Sequence, residues 1–214
     1  MNNNLSQTIL ISVAIAMVVS FFALSMQKTD SAETTAAVKH YLENRTEGEL
    51  IADFYRVENA VHVSPHSVRT HLGDNDIVLV DLRSQEEYET LHIITAINIP
   101  AYATPDKSDY GSVDRIVGAF KDAQAKNPGK DIVVYCYSIP CMTGRKIGKM
   151  LLEHDIYVQH LGIGWNEWRY YWKLWNHDGE KQVNPLDYVA SGKEPGIFIG
   201  DKSPGCPIGG EFGC

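Results

Sequence analysis

Asp131-Ile-Val-Val-Tyr-Cys136-Tyr-Ser-Ile-Pro-Cys141-Met-Thr-Gly-Arg145-Lys-Ile-Gly-Lys-Met-Leu-Leu152 decides how the whole chain is read. A β-branched apolar run ends on Cys136, a short loop carrying Pro140 leads to Cys141, and a helix-like pattern starts at once. The expected result is a thiol presented at a strand-to-helix turn. Such a turn aims backbone N–H groups and the positive end of a helix dipole at whatever sulfur sits in it. Thiolate is the form that place favours.

Upstream, Ile77-Val-Leu-Val80 is a second continuous apolar run, as expected of a strand buried on both faces of a parallel sheet. Asp81-Leu-Arg83 closes it, and Ser84 followed by Glu86 and Glu87 caps a short helix. Before them, a short strand at Val61 leads to Ser64 as N-cap with Pro65 at the first helical position. Another strand is expected at Ala96–Pro100, and a helix from Ser112 to Lys126 with Val113, Ile116, Val117 and Phe120 on one face. Tyr102–Gly111 between them reads as a polar excursion. Beyond the opening stretch come a strand at Tyr157–Leu161 and an aromatic helix that starts after Gly164 and ends near Asn176. Strands and helices alternating at this size predict an α/β domain with a central, mainly parallel sheet. Ligands of that architecture sit at the carboxyl ends of the strands, where Cys136 lies.

Composition narrows the function classes. The 214 residues carry a net charge of -8 and no block of Lys or Arg, which argues against a nucleic-acid partner. Eight His and four Cys show no paired metal-ligand spacing, so neither a metal nor a cofactor is expected.

The segment Leu5–Met26 has no charged residue and is close to the roughly 20 residues a bilayer-spanning helix needs. It is either a signal peptide or an anchor. No Lys or Arg precedes Leu5, so an uncleaved single-pass anchor is the reading preferred. Lys28, Lys39 and Arg45 after the segment would hold the domain inside, yet N-terminal apolar segments usually export the domain behind them, and an extracytoplasmic domain is expected. The organisation is therefore an anchor or signal over 1–28, a linker with helical lead-in over 29–60, the α/β domain over 61–176, and an extended tail over 177–214. That tail loses periodicity, and its residues Cys206 and Cys214 could close a small disulfide.

Val78-Leu-Val80-Asp81-Leu-Arg83, then Glu86-Glu87-Tyr88, His92-Ile93 and Ala96-Ile-Asn-Ile-Pro100, resemble the first signature of the rhodanese-like domain. Val133-Val-Tyr-Cys136 resembles the strand into that family's active-site loop, and Leu161–Trp168 its closing glycine and tryptophan element. The resemblance implies a rhodanese-like α/β fold and a sulfurtransferase that holds sulfane sulfur as a persulfide on one cysteine. Two departures stand out. Leu91, Ile94 and Thr95 replace the family's common Gly, Pro and Gly around His-Ile, which alters a turn. Within the loop, the usual Cys-x4-Arg becomes Cys136-x4-Cys141, with a second thiol where the closing cation would be.

Cys136 is taken as the nucleophile because the strand abuts it, and because Gly144 and Gly148 then form a small helix face for close approach to the sheet. In a second register, Cys141 is the nucleophile with Lys146 as its cation. Donors to an anionic sulfur at Cys136 are expected from the N–H groups of Tyr137, Ser138, Ile139, Cys141 and Met142, and from the Ser138 hydroxyl. Arg145 and Lys146 could restore positive potential from the first helical turn. Cys141 would resolve the persulfide, releasing sulfide as a disulfide forms. The expected partners are thiosulfate, a polysulfide or a persulfide as donor and a thiol as acceptor. Asp81 and Arg83 are read as an ion pair or loop brace, His92 as a hydrogen-bonded turn residue, and Trp165, Trp168, Tyr170, Tyr171, Trp172 and Trp175 mostly as core. Two alternatives remain: a thiol–disulfide oxidoreductase or redox sensor using the same pair, and an inactive rhodanese-like binding module.

Overall fold

A computed structural model of the chain describes residues 35–176, 179–180 and 183–200. The Leu5–Met26 segment and the Cys206/Cys214 pair lie outside them. Among the described residues no helix is long and apolar enough to cross a membrane. Two units divide the chain, residues 1–56 and 57–214. In the first, helical residues 35–43 precede a break, and Thr46, with its N–H on Glu49 at 2.8 Å, caps the helix α1 (Glu47–Val61), whose last residues belong to the second. Within that unit Asp53 accepts from Tyr41 at 2.6 Å and pairs with Arg45 at 3.2 Å.

The second unit continues in chain order with β1 (His62–Val63), α2 (Pro65–His71), β2 (Ile77–Asp81), α3 (Gln85–Thr90), β3 (His92–Ile93), β4 (Ile97–Asn98), β5 (Tyr102–Thr104), β6 (Lys107–Ser108), α4 (Val113–Lys126), β7 (Asp131–Tyr135), α5 (Thr143–Leu152), β8 (Gln159–Leu161), α6 (Trp165–Tyr170) and β9 (Val189–Ala190). The central sheet runs β1-β8-β7-β2-β4 with every pairing parallel. Its axis is the β2–β7 pair, in register from Ile77 opposite Asp131 to Asp81 opposite Tyr135. These are the two runs that the sequence marks as buried on both faces.

Alternation along those strands sorts the core into two layers. Val78, Val80, Ile132 and Val134 pack with Ile116 and Phe120 of α4 and with Ile147 and Leu151 of α5. Leu79, Val133 and Tyr135 pack on the other face with Val68 and Leu72 of α2 and with Trp165 and Trp168 of α6. The helices start where the chemistry of their caps dictates. The Ser64 hydroxyl accepts the His66 N–H at 3.2 Å, and Ser84 and Glu87 form a reciprocal capping box.

Three expectations need correcting. The aromatic helix stops at Tyr170 and gives way to a 3-10 turn at Trp172–Leu174, leaving Tyr170 and Tyr171 exposed. The β8 strand begins at Gln159 rather than Tyr157. More consequential, residues 183–200 of the expected extended tail pack into the domain: β9 pairs antiparallel with β3, and Tyr188 and Phe198 bury in the second layer. Tyr188 also supplies the carbonyl for the Trp168 indole N–H at 3.2 Å. Aperiodic sequence concealed this, because one short strand and two aromatic anchors need no repeating pattern.

Thr95, one of the residues that departs from the family turn, has φ +73. That left-handed region suits glycine and disfavours a β-branched side chain by about 1–3 kcal/mol. The turn keeps this geometry because the Thr95 N–H bonds to the Pro195 carbonyl at 2.6 Å. Thr95→Gly is therefore expected to raise the unfolding free energy by about 1 kcal/mol, read as a higher urea midpoint at unchanged slope; an equal or lower midpoint would exclude strain at this position.

Candidate active site

Tyr135 and Cys136 leave β7 on opposite faces, and each is fixed by what it meets there. The Tyr135 hydroxyl donates to Asp81 Oδ2 at 2.7 Å and accepts the Ile93 N–H at 3.1 Å. Arg83 grips the same carboxylate, with Nε 3.1 Å from each oxygen and Nη2 2.6 Å from Oδ2. Burial alone would lower the Arg83 guanidinium, but the neighbouring Asp81 charge outweighs it and raises it. Arg83 also donates to the Leu91 carbonyl at 2.8 Å and lies 4.2 Å over the Trp165 ring. His92 donates from Nδ1 to the Tyr88 carbonyl at 2.7 Å and stacks on the Tyr88 ring. Asp81, Arg83 and His92 therefore brace the ground beneath the loop.

The loop is held from the side by the start of α6. Trp165 and Asn166 donate their N–H groups to the carbonyls of Cys136 and Tyr137, each at 2.8 Å. This contact requires Gly164, since a Cβ there would lie 2.2 Å from the Ser138 nitrogen. The Tyr137 hydroxyl donates to Glu87 Oε2 at 2.6 Å, so the acid of the capping box also ties down the loop. Ile139 and Met142 stand exposed at 48% and 53%, an apolar lip beside Cys141. Beside Tyr137 a cavity of about 280 Å3 is lined by Arg83, Glu87, Leu91, Trp165 and Tyr170.

Cys136 is 2% exposed and Cys141 half-buried, and both are free thiols. Their sulfurs lie close enough that each shifts the other's ionisation. The neighbouring Cys136 thiol, with the Thr143 side chain and the N–H groups of Thr143 and Tyr137, outweighs burial and pulls Cys141 down to about 5. Cys136 moves the other way, raised by the Cys141 sulfur beside it and by burial. The thiol drawn down is Cys141, the more accessible of the two, whereas the strand-end position pointed to Cys136. One correction concerns the donors. The Cys141 N–H bonds to the Ser138 carbonyl at 3.0 Å, closing the turn, so it does not face a sulfur. Arg145 reaches the Cys141 carbonyl at 3.5 Å, and Lys146 lies 5.3 Å over the Tyr110 ring. Both cations engage groups other than the thiols.

Sequence reasoning missed several contributors. Thr143 sits 3.3 Å from Cys141 Sγ, a placement that Cys-x-Thr at a helix start could have signalled. Tyr102 and Tyr110, inside the supposed polar excursion, both hydrogen-bond to Thr143. His160 of β8 packs its ring on Gly144, where a Cβ would come within 2.1 Å. Burial, with Arg145 and His62 adding, holds its imidazole down to about 4, so it stays neutral at pH 7. Away from the loop, His71, Asp74 and Asp76 place ligand atoms within 4.8 Å of one another, but His71 already pairs with both acids and nothing further marks a metal site.

The thiol pair makes a pH prediction. Alkylation follows the thiolate fraction, so iodoacetamide labelling of Cys141, located by peptide mass, should rise with a midpoint near pH 5 and be flat around pH 8, where an ordinary thiol with a pKa of about 8.5 is still rising. Cys136→Ala removes the donor and should move that midpoint upward. A wild-type midpoint near 8.5 would refute the arrangement.

Comparison with known families matches residues 64–170 to the Rhodanese-like domain. Among curated proteins nothing matches. Of the solved structures, the BH2092 protein of Bacillus halodurans is 21% identical over 57% of this chain and 81% of its own, with a TM-score of 0.43. A full-length Lactobacillus plantarum protein is 15% identical over 56% and 91%, also at 0.43. Protein hp1203 of Helicobacter pylori is 20% identical over 47% and 74%, at 0.32. The family match spans half the chain and takes in both the Asp81 brace and the whole dithiol loop, and the chain belongs to the Rhodanese-like domain family.

Proposed function

We propose that this chain is a sulfurtransferase of dithiol type, in which Cys141 takes up sulfane sulfur and Cys136 resolves it. The observation that carries the reading is a pair of free thiols of unequal access in one loop, Cys136 buried at 2% exposure and Cys141 half-buried with the Thr143 hydroxyl 3.3 Å from its sulfur. It exchanges the roles expected from sequence, because only Cys141 combines thiolate character with access. In the first step the Cys141 thiolate attacks the outer sulfur of a thiol persulfide, forming an S–S bond on Cys141 while the donor thiolate leaves. The Cys136 sulfur then attacks the Cys141 sulfur, its proton going to the departing sulfide. A Cys136–Cys141 disulfide forms, and the sulfane sulfur is reduced to hydrogen sulfide. An external dithiol reductant must restore the pair. Persulfide or polysulfide suits this loop better than thiosulfate, a dianion that would want the cation Cys141 replaces.

Intact-mass measurement after incubation with a low-molecular-weight thiol persulfide tests the scheme. Wild type should release sulfide and lose two hydrogens, Cys136→Ser should retain one added sulfur on Cys141, and Cys141→Ser should gain none at neutral pH. Retention on Cys141→Ser but not on Cys136→Ser would return the carrier role to Cys136. A thiol–disulfide oxidoreductase is the second reading, favoured by the same paired thiols. It predicts a reversible disulfide in wild type and no retained sulfur in either variant.

The uncharged Leu5–Met26 segment supports a membrane-tethered, extracytoplasmic domain. An alkaline phosphatase fusion to the C-terminus should be active on that basis, and an inactive fusion with an active cytoplasmic reporter at the same point would reverse the orientation.

A further inference from the structure

Thr143 is the first residue of α5 and is 2% exposed, yet its side chain is among the most connected polar groups in the domain. Its Oγ1 accepts from the Cys141 thiol at 3.3 Å while that thiol is protonated, and lies 2.9 Å from the Tyr102 hydroxyl and 2.8 Å from the Tyr110 hydroxyl, the two tyrosine oxygens being 3.1 Å apart. From this geometry we propose that Thr143, backed by Tyr102 and Tyr110, is the donor set that holds the sulfur anion of this loop, three neutral hydroxyls standing where a cation would otherwise serve. The inference deepens the reading above through its Cys141 thiolate, but does not require sulfur transfer.

Each hydroxyl has one proton and two lone pairs. With Cys141 anionic, sulfur gains a donor from this side only if the Thr143 proton points at it. That leaves both Oγ1 lone pairs for the Tyr102 and Tyr110 protons. Every proton in the cluster is then passed one step towards the sulfur, and no lone pair on Oγ1 is left over. With Cys141 protonated, its S–H donates to Oγ1 instead, and the Thr143 proton must turn towards a tyrosine. The cluster therefore has two complete arrangements, selected by the charge on sulfur, and the low exposure of Thr143 favours such hydrogen bonds over competition from bulk water.

The tyrosines are positioned for this by the chain between β4 and α4. The Ala101 N–H bonds to the Leu82 carbonyl at 2.9 Å, fixing the start of β5 to the end of β2, and the Asp109 N–H bonds to the Ala101 carbonyl at 2.8 Å, bringing Tyr110 alongside Tyr102. Arg115 of α4 clasps the same hairpin through the Pro100 carbonyl at 2.7 Å and Asp109 at 3.0 Å. The Tyr102 ring then stands edge-on to Tyr137 at 5.2 Å. Burial raises the Tyr102 phenol, which keeps its proton available for donation.

Other groups also act on Cys141: the Cys136 thiol, the N–H groups of Tyr137 and Thr143, Arg145 at its carbonyl, and, one residue removed, Lys146 over Tyr110 and Glu87 behind Tyr137. All of these remain in the variants that test the proposal, so the hydroxyls are read by difference. The midpoint of Cys141 alkylation against pH is measured on the full chain without any sulfur donor. Thr143→Val, isosteric but without the hydroxyl, should raise the midpoint by roughly one to two pH units, the size of a hydrogen bond to a charged group. Thr143→Ser should return it to the wild-type value. The Tyr102→Phe, Tyr110→Phe double variant should raise it by less than Thr143→Val, since it acts only through Oγ1. A wild-type midpoint in a folded Thr143→Val protein overturns the proposal. Should Thr143→Val fail to fold, the tyrosine double variant decides, and an unchanged midpoint there overturns it equally. Because labelling needs no persulfide, an inactive enzyme with the expected shifts would reject sulfur transfer and leave the hydroxyl set standing.

Discussion

The buried carboxylate of Asp81 is the constraint on which the rest of the domain is built. It has no exposed surface, so its charge has to be met inside the protein. Arg83 meets it with three hydrogen bonds across a single intervening residue, and Tyr135 meets it from the neighbouring strand. A buried pair of this kind adds little net stability, but removing one partner costs on the order of 3–5 kcal/mol because it leaves the other charge stranded. The consequence is specificity. Asp81 and Tyr135 face each other in register at the ends of β2 and β7, and the register cannot slip by one residue without parting them. The residue after Tyr135 is Cys136. Thus a charge pair with no chemistry of its own sets the face and the depth at which the thiol emerges.

From that point the loop is shaped chiefly by backbone groups. Its carbonyls are taken by the N–H groups of Trp165 and Asn166, its tyrosine by Glu87, and its internal turn by the Ser138–Cys141 hydrogen bond. The positive potential of the ten-residue helix α5 remains, together with thiol and hydroxyl donors. A guanidinium would stabilise an incoming anion as well as the protein's own sulfur. A thiol donor stabilises only the sulfur beside it, and it can also become a nucleophile when the charge moves. With Cys141 in place of the closing cation, the proposed chemistry would exchange substrate attraction for an internal redox partner.

Much of this was legible in the residues. The β2 and β7 runs, the Ser64 and Ser84 caps, the apolar face of α4 and the glycine face of α5 are local patterns, and they locate the sheet, its order of elements and the loop. Gly144 illustrates both the reach and the limit of such reading. Its need to be small is visible as a helical spacing with Gly148, but only the fold reveals that His160 is what it makes room for, while Gly148 meets just a Val158 methyl at 3.7 Å. The thiol assignment meets the same limit. Which cysteine ionises depends on relative burial and on which sulfur the donors reach, and neither is a property of spacing. Tyr102 and Tyr110 lie 41 and 33 residues from the threonine they meet, in a stretch without periodicity. Tyr188 and Phe198 were hidden in the same way.

The asymmetry of the two sulfurs has one more implication. Cys136 sits among Val134, Ile147 and Leu151 in the layer under α4 and α5, and Cys141 stands at the lip with Ile139 and Met142. A donor approaching from solvent meets Cys141 first, and an anion formed on Cys136 would have to be desolvated in an apolar layer, which opposes it. Ionisation and access therefore favour the same sulfur. When sulfur is transferred to Cys141, the inner thiolate charge that kept Cys136 protonated moves outward by one bond, and the penalty on ionising Cys136 falls with it. In the proposed scheme the buried thiol would become a nucleophile only after the exposed one had been loaded. Such an order would protect the pair from idle oxidation, because the resolving step is set off by the substrate sulfur itself.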